Sequence, residues 1–343
     1  MKLPRSRRGL FDKGLIVACV LGVIGIGIVG GTFVLAQRDA NAPTPQSLTA
    51  PPTTAKPGAE VTTSTVGGVS EGLRVAAVGD IQPKSNSSNA AATAVEAAKS
   101  DLILGLGDYQ YSDGDMAAYN AYFDKSWGPN VHKTYPVLAP NHDQYWEAGD
   151  ALDYWNGAGA SGYKAPVTLR PLKPYSFDRN GWHFVALPDA CFRVDGCDPN
   201  AVRSWLRADL ENSSAKCTIA YWHQPYFTSP TSGHEAYEKV KPWVEVLVDN
   251  RVDVLLQSHN HDYERFALQN DSRRADANGI HAFVVGTGGI GFYDFEGTAP
   301  NSVTRQNDDY GVLHLTLGDG SYGWEFVRVG GESYSDRGSM TCR

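Results

Sequence analysis

The chain reads Leu73-Arg74-Val75-Ala76-Ala77-Val78-Gly79-Asp80 and, further on, Leu102-Ile103-Leu104-Gly105-Leu106-Gly107-Asp108, two short apolar runs that each stop at Gly-Asp. Continuous apolar runs of this length, bounded by turn residues, fit strands buried on both faces. Between them, residues 89–99 are Ala-rich with helical spacing, so the period is β-α-β. The rhythm continues outward. A short strand over 135–138 precedes Pro140-Asn141-His142-Asp143, and a helix over 199–210 begins with Pro199. A strand over 217–221 runs into Trp222-His223-Gln224-Pro225, and a helix over 235–249 feeds a strand over 252–256, which ends in Ser258-His259-Asn260-His261-Asp262-Tyr263-Glu264-Arg265. Residues 282–285, 311–317 and 322–329 are strands with few helices between them, which predicts a second sheet packed on the first. The fold class is α/β, with α+β character towards the C-terminus.

The 343 residues are 42% hydrophobic, enough for a substantial core. Three regions are expected: 1–36, 37–72 and one folded domain over 73–343. The first 36 residues carry five basic groups and one acid, net +4, so the rest of a chain of net −8 carries −12. An acidic body without a Lys/Arg run gives no nucleic-acid groove. Residues 14–36 are apolar and Gly-rich behind a basic stretch, the pattern of an export segment. Ser6-Arg7-Arg8-Gly9-Leu10-Phe11 resembles a twin-arginine signal, and Val34-Leu35-Ala36 suits a signal peptidase. The run also reaches the roughly 20 residues of a membrane span, so the expected location is secreted or held at the outer face of the membrane by an uncleaved anchor. Residues 37–72, rich in Pro, Thr and Ala, read as a linker. Beyond it stand Cys191, Cys197, Cys217 and Cys342, an even set in a chain bound for an oxidising space. Cys191 with Cys197 would close a short loop and leave Cys217 to clasp Cys342, one of three possible pairings.

Every polar cluster sits just past a strand, where open α/β sheets bind ligands. The groups collected there are Asp80, Asp108 with Tyr111, Asn141 with His142, His223, and His259 with His261. In an extended backbone His259 and His261 point to one side. Carboxylates, imidazoles and an amide oxygen form a donor set for intermediate transition metals. Gly286-Thr287-Gly288-Gly289-Ile290-Gly291 satisfies G-x-G-x-x-G, but Phe292-Tyr293-Asp294-Phe295 does not open a helix, so it reads as a glycine-rich turn near the site. His132, His183, His281 and His314 fall outside the clusters and read as structural.

The ordered set Gly79-Asp80, Gly107-Asp108-x-x-Tyr111, Asn141-His142-Asp143, His223 and His259-x-His261 resembles the five-motif signature of the calcineurin-like metallophosphoesterases. It is most similar to their purple acid phosphatase branch, and the stretches CTIAYWHQP and FVVGTGG resemble secreted bacterial members. The resemblance implies a four-layer α-β-β-α sandwich of two mixed β-sheets flanked by helices. It implies two metal ions, iron with iron, zinc or manganese: the first on Asp80, Asp108, Tyr111 and His261, the second on Asp108, Asn141, His223 and His259. A bridging hydroxide would attack phosphorus in line. His142 is the candidate general acid or charge stabiliser, His234 a candidate substrate-side histidine, and Trp222 and Tyr226 are expected to pack around the site. The chain departs from the family pattern in three places. Asp80-Ile81-Gln82 stands where the wider group has Asp-x-His, with Tyr111 filling the vacancy, and Pro140 and Ser258 replace glycines before the third and fifth motifs.

The expected activity is hydrolysis of small phosphate monoesters by an exported dinuclear enzyme. A phosphodiesterase or nucleotidase on the same centre is the alternative, and an inactive metal-binding surface protein a further one. The sequence is silent on oligomeric state.

Overall fold

A computed structural model describes residues 71–143, 150–330 and 334–343. The export segment and nearly all of the expected linker lie outside the described residues. Strand β1 (Leu73–Val78) is followed by α1 (Ser88–Ala97), β2 (Leu102–Gly105) and β3 (Thr134–Pro136). Next come β4 (Tyr175–Arg179), β5 (Trp182–Ala186), α2 (Pro199–Asn212), β6 (Cys217–Tyr221), α3 (Lys241–Asp249) and β7 (Val254–Gln257). Strands β8 (Tyr263–Phe266), β9 (His281–Val285), β10 (Ser302–Gln306), β11 (Gly311–Gly318), β12 (Ser321–Arg328) and β13 (Asp336–Thr341) complete the order.

These strands form two mixed sheets, β13-β12-β11-β1-β2-β3 and β10-β8-β9-β7-β6-β5-β4. Alternation along each strand explains how they stack. Val75 and Ala77 of β1, Leu104, Phe184, Ile219, Leu256, Phe283, Leu313 and Leu315 meet between the sheets. The opposite side chains of β1, Ala76 and Val78, pack under the Ala90, Ala94 and Ala97 face of α1. On the far side, Leu206 and Leu210 of α2 and Trp243, Val244 and Leu247 of α3 cover Val185, Ala220, Leu255 and Val284. The result is helix, sheet, sheet, helix.

Two local readings are corrected. The C-terminal strands do not build the second sheet by themselves: β11 pairs antiparallel with β1 and extends the first sheet, while β9 pairs parallel with β7 in the other. Their apolar patterns suit either sheet, and pairing across long sequence separations decides. The helix expected from 235 starts instead at Lys241, after a 3₁₀ turn over Glu238–Val240. Tyr237 is extended and its N–H donates to the Pro225 carbonyl at 2.7 Å, so this backbone serves a tertiary contact, and Pro242 sits in the first turn.

The cysteines pair as Cys191–Cys197 and Cys217–Cys342, the latter tying the start of β6 to the C-terminal tail. At that same end, remote from the strand ends that carry the motifs, His183 of β5 lies between Asp178 Oδ1 of β4 (2.7 Å) and Asp209 Oδ2 of α2 (2.9 Å). Burial works to lower this imidazole, but the two carboxylates outweigh it and raise it above its ordinary value. A raised folded value contributes stability that is complete below the unfolded value and fades as pH climbs through the folded one. A His183→Gln variant is therefore expected to melt below wild type near about pH 5, with the gap closing by about pH 9; a gap that widens with pH contradicts the pairing.

Candidate metal centre

The carboxyl ends of β1, β2 and β3 converge with those of β6 and β7. Asp80 follows β1, Asp108 follows β2 and Asn141 follows β3, whereas His223 follows β6 and His259 and His261 follow β7. One sheet thus supplies oxygen donors and the other nitrogen donors. Asp80, Asp108 and His259 adopt left-handed backbone conformations, with φ of 59°, 52° and 72°. Aspartate tolerates this region better than most residues, and such conformations persist where surroundings over-determine them. For Asp108 the constraint is visible. The Asp143 carboxylate accepts from the amides of Asp108 (2.9 Å), Tyr109 (3.2 Å) and Ala139 (3.0 Å) and from the Tyr119 hydroxyl (3.3 Å).

Two groups of side chains share one atom. Tyr111 Oη lies 2.7 Å from Asp80 Oδ1, 3.0 Å from Asp108 Oδ2 and 3.1 Å from His261 Nε2. Asp108 Oδ2 is also 2.8 Å from Asn141 Nδ2 and 3.2 Å from His223 Nε2. His259 Nδ1 closes the second group, 3.2 Å from His223 Nε2 and 3.4 Å from Asn141 Nδ2. The seven residues whose spacing suggested ligands therefore meet in the structure, and Asp108 is the member common to both groups. Asp80, Asp108 and His223 have no solvent exposure.

The donor chemistry fits cations. His223 Nδ1 faces the Leu106 carbonyl at 2.8 Å and His261 Nδ1 faces the Gly291 carbonyl at 2.5 Å, an arrangement that fixes the tautomer and leaves each Nε2 lone pair facing inward. Asn141 turns Nδ2 to the group and leaves its buried Oδ1 without a hydrogen-bond partner, an acceptor that rotation of the amide would present to a cation. With protein groups alone, the charges balance by proton placement. Burial works to raise Asp108, but the charge and hydrogen bond of His223 outweigh it and hold the carboxyl at about 2. Burial works to lower His223, and Asp108 above all lifts it to about 10. Burial, then the charges of Asp108 and Asp80, push the Tyr111 phenol well up, while burial and the His223 charge push His259 well down.

The two substrate-side candidates flank these groups. The His142 amide donates to Asp108 Oδ1 at 3.1 Å, its Nδ1 faces the Ser112 carbonyl, and its ring lies 4.2 Å from that of Tyr111. His234 is half-buried, 4.9 Å from the His259 ring, with Nδ1 held by the Ser232 carbonyl at 3.0 Å. Trp222 and Tyr226 are buried in the cluster behind His223, on the outer face of the seven-stranded sheet. Gln82 turns away, donating to the Pro83 and Ser85 carbonyls and accepting from Ser126 Oγ.

Sequence reading expected the stretch 292–304 to shape the pocket but singled out no role for Tyr293, whose ring lies between those of His261 (4.0 Å) and His234 (4.3 Å), stacked on both. The one signal was the aromatic pair Phe292-Tyr293 just after the glycine-rich turn. That turn packs on the centre and no helix follows it: a Cβ at Gly286 would lie 2.0 Å from the Asn260 carbonyl oxygen, and one at Gly288 would lie 2.5 Å from that of Gly79. Asp189, likewise passed over, is fully buried and accepts from the Gln224 amide at 2.7 Å, bracing the turn that carries His223.

A two-sheet sandwich flanked by helices, with a carboxylate, imidazole and amide cluster at the meeting strand ends, is the architecture of a metallophosphoesterase. Residues 73–263 match the calcineurin-like phosphoesterase family, and the chain belongs to it. Among curated relatives, purple acid phosphatase 15 of Arabidopsis thaliana is 25% identical over 245 residues, 63% of this chain and 45% of that protein. Purple acid phosphatase 22 of the same plant is 31% identical over 119 residues, 34% of this chain and 26% of that protein. The chain thus spans less than half the length of these relatives. Of solved structures, a purple acid phosphatase from yellow lupin (Lupinus luteus) seeds superposes with a TM-score of 0.59 at 16% identity, covering 80% of this chain and 55% of that one. GAP50, the anchor in the inner membrane complex of Plasmodium, superposes with a TM-score of 0.59 at 15% identity, covering 79% and 89%.

Replacing Asp143 by Ala strips three buried amides and a hydroxyl of their acceptor. Urea unfolding is expected to show a loss of about 2–4 kcal/mol; a loss within about 0.5 kcal/mol contradicts the bracing role.

Proposed function

We propose that this protein is an exported dinuclear-metal hydrolase of small phosphate monoesters. The observation that carries the reading is the sharing of Asp108 Oδ2 by two donor groups. In it, Asp80, Asp108, Tyr111 and His261 hold one cation, and Asp108, Asn141, His223 and His259 the other, iron with iron, zinc or manganese. When bound, such a pair supplies Lewis acidity and a hydroxide nucleophile near neutral pH.

The chain's own groups supply the rest. Asp108 fixes the spacing of the two ligand sets because one carboxylate belongs to both. Tyr111 and His223 release their protons to accommodate positive charge, which couples loading to pH. His142 donates its Nδ1–H to the Ser112 carbonyl and so leaves Nε2 free, and in its imidazolium form Nε2 would donate a proton to the departing alkoxide. In this reading His234, whose ring lies 4.9 Å from that of His259, holds a phosphoryl oxygen, and Tyr293 stacks on its ring. The monoester preference rests on the purple acid phosphatase relatives. Export is supported by the N-terminal pattern and by two disulfides, which persist in oxidising compartments. Among the described residues no helix is long and apolar enough to cross a membrane.

Purified chain is expected to carry two metal ions and to hydrolyse p-nitrophenyl phosphate faster than its bis ester. His142→Ala should lower kcat by about 10²–10⁴-fold with metal content intact, and Asp108→Asn should lose both ions. Full loading without turnover of either ester defeats the enzyme reading. A faster diester rate replaces it with a phosphodiesterase.

A further inference from the structure

The fifth cluster departs from the family pattern at Ser258, where the resemblance leads one to expect glycine. This serine has no solvent exposure. Its hydroxyl donates to Asp80 Oδ2 at 2.5 Å, and the amide of the next residue, His259, donates to the same oxygen at 2.8 Å. The other carboxylate oxygen, Asp80 Oδ1, faces Tyr111 Oη and His261 Nε2 at 2.7 and 3.4 Å. The two oxygens therefore have separate duties. Oδ2 is engaged by two donors from the second sheet, and Oδ1 alone is turned to the ligand group.

We infer that Ser258 is a positioning residue that restricts Asp80 to presenting one oxygen to the first cation, an inference that rests on the dinuclear reading above. The fit around the hydroxyl is specific. A Cβ at residue 79 would lie 2.1 Å from Ser258 Oγ, so Gly79 is what gives the hydroxyl its place. Ser258 N–H donates to the His223 carbonyl at 2.9 Å, which fixes the serine against the turn that carries another ligand. With glycine or alanine at 258, Asp80 Oδ2 keeps one donor instead of two, and the carboxylate is less restrained about its own axis. Outer partners of metal ligands typically govern affinity by about 10–100-fold. The effect here falls on one group only, because Asp108 Oδ2 and the second set do not touch Ser258 Oγ except through the 3.4 Å approach of His223 Nδ1, a ring nitrogen already engaged by Leu106.

The test is titration of metal-free, full-length protein with Zn²⁺, followed by calorimetry and by the ultraviolet difference band of tyrosinate. That band reports the first group because Tyr111 belongs to it alone, and Tyr111→Phe is the control for its origin. Ser258→Ala is expected to weaken the step that carries the band by about tenfold and to leave the other step within about twofold. Ser258→Gly removes the same hydroxyl with less bulk beside Gly79 and serves if the alanine variant does not fold. In an Asp80→Asn background the serine substitution should add nothing further, since it acts through that carboxylate. Unchanged affinities, an equal loss at both steps, or an additive loss in the Asp80→Asn background each overturn the inference while the dinuclear reading stands. A wild-type chain that takes up no metal overturns both.

Discussion

One carboxylate oxygen, Asp108 Oδ2, holds the arrangement together. It has no access to water, and Tyr111, Asn141 and His223 crowd it from three directions, while its partner Oδ1 accepts the amide of His142. A buried charge is expensive unless compensated, and here the compensation comes from both sheets at once. The packing of the two sheets and the assembly of the site are therefore one event. If the sheets slid by a residue, the imidazoles of the second would no longer face the carboxylates of the first.

Around that point lies a ring of buried acids held by backbone rather than by cations. Asp143 accepts three amides, Asp189 one, and Glu264 accepts both the amide and hydroxyl of Ser229. The Asp143 contacts hold the left-handed backbone at Asp108, while the Asp80 amide is held by the Gly107 carbonyl at 3.2 Å and the His259 amide by Asp80 Oδ2 at 2.8 Å. Burial pushes the Asp143 carboxyl up to about 7 and that of Asp189 to about 6, and neither group is aimed at the centre. Rigidity at the turns is what lets seven side chains from five loops converge within hydrogen-bond distances.

Much of this was legible from local pattern. Apolar runs ending in Gly-Asp marked β1 and β2 and cysteine spacing suggested the pairs that form, but the backbone at His259 is left-handed rather than extended, so its ring and that of His261 go to different groups. What stayed hidden depends on contacts between distant segments. No periodicity tells β11 to pair with β1 rather than to build a new sheet, and no propensity reveals that Tyr237 spends its amide on Pro225 instead of opening a helix. Tyr293 and Ser258 were unreadable for the same reason, since each acts on residues far away in sequence. The departures from the family pattern were visible as letters; their partners appear only in three dimensions.

The place of β1 bears on how such a molecule comes to exist. It lies between β2, its near neighbour in sequence, and β11, more than two hundred residues away, and it carries Asp80 at its end. Closing a loop over such a span costs entropy before the pairing returns any energy, which sets this contact apart from the local pairing of β1 with β2. Without residues 311–318, β1 has an open edge along Leu73–Ala77, and Asp80 itself is held by other distant segments, its amide by the Gly107 carbonyl at 3.2 Å and its carbonyl by the Ile290 amide at 3.3 Å. The candidate donor set therefore exists only where these distant segments meet.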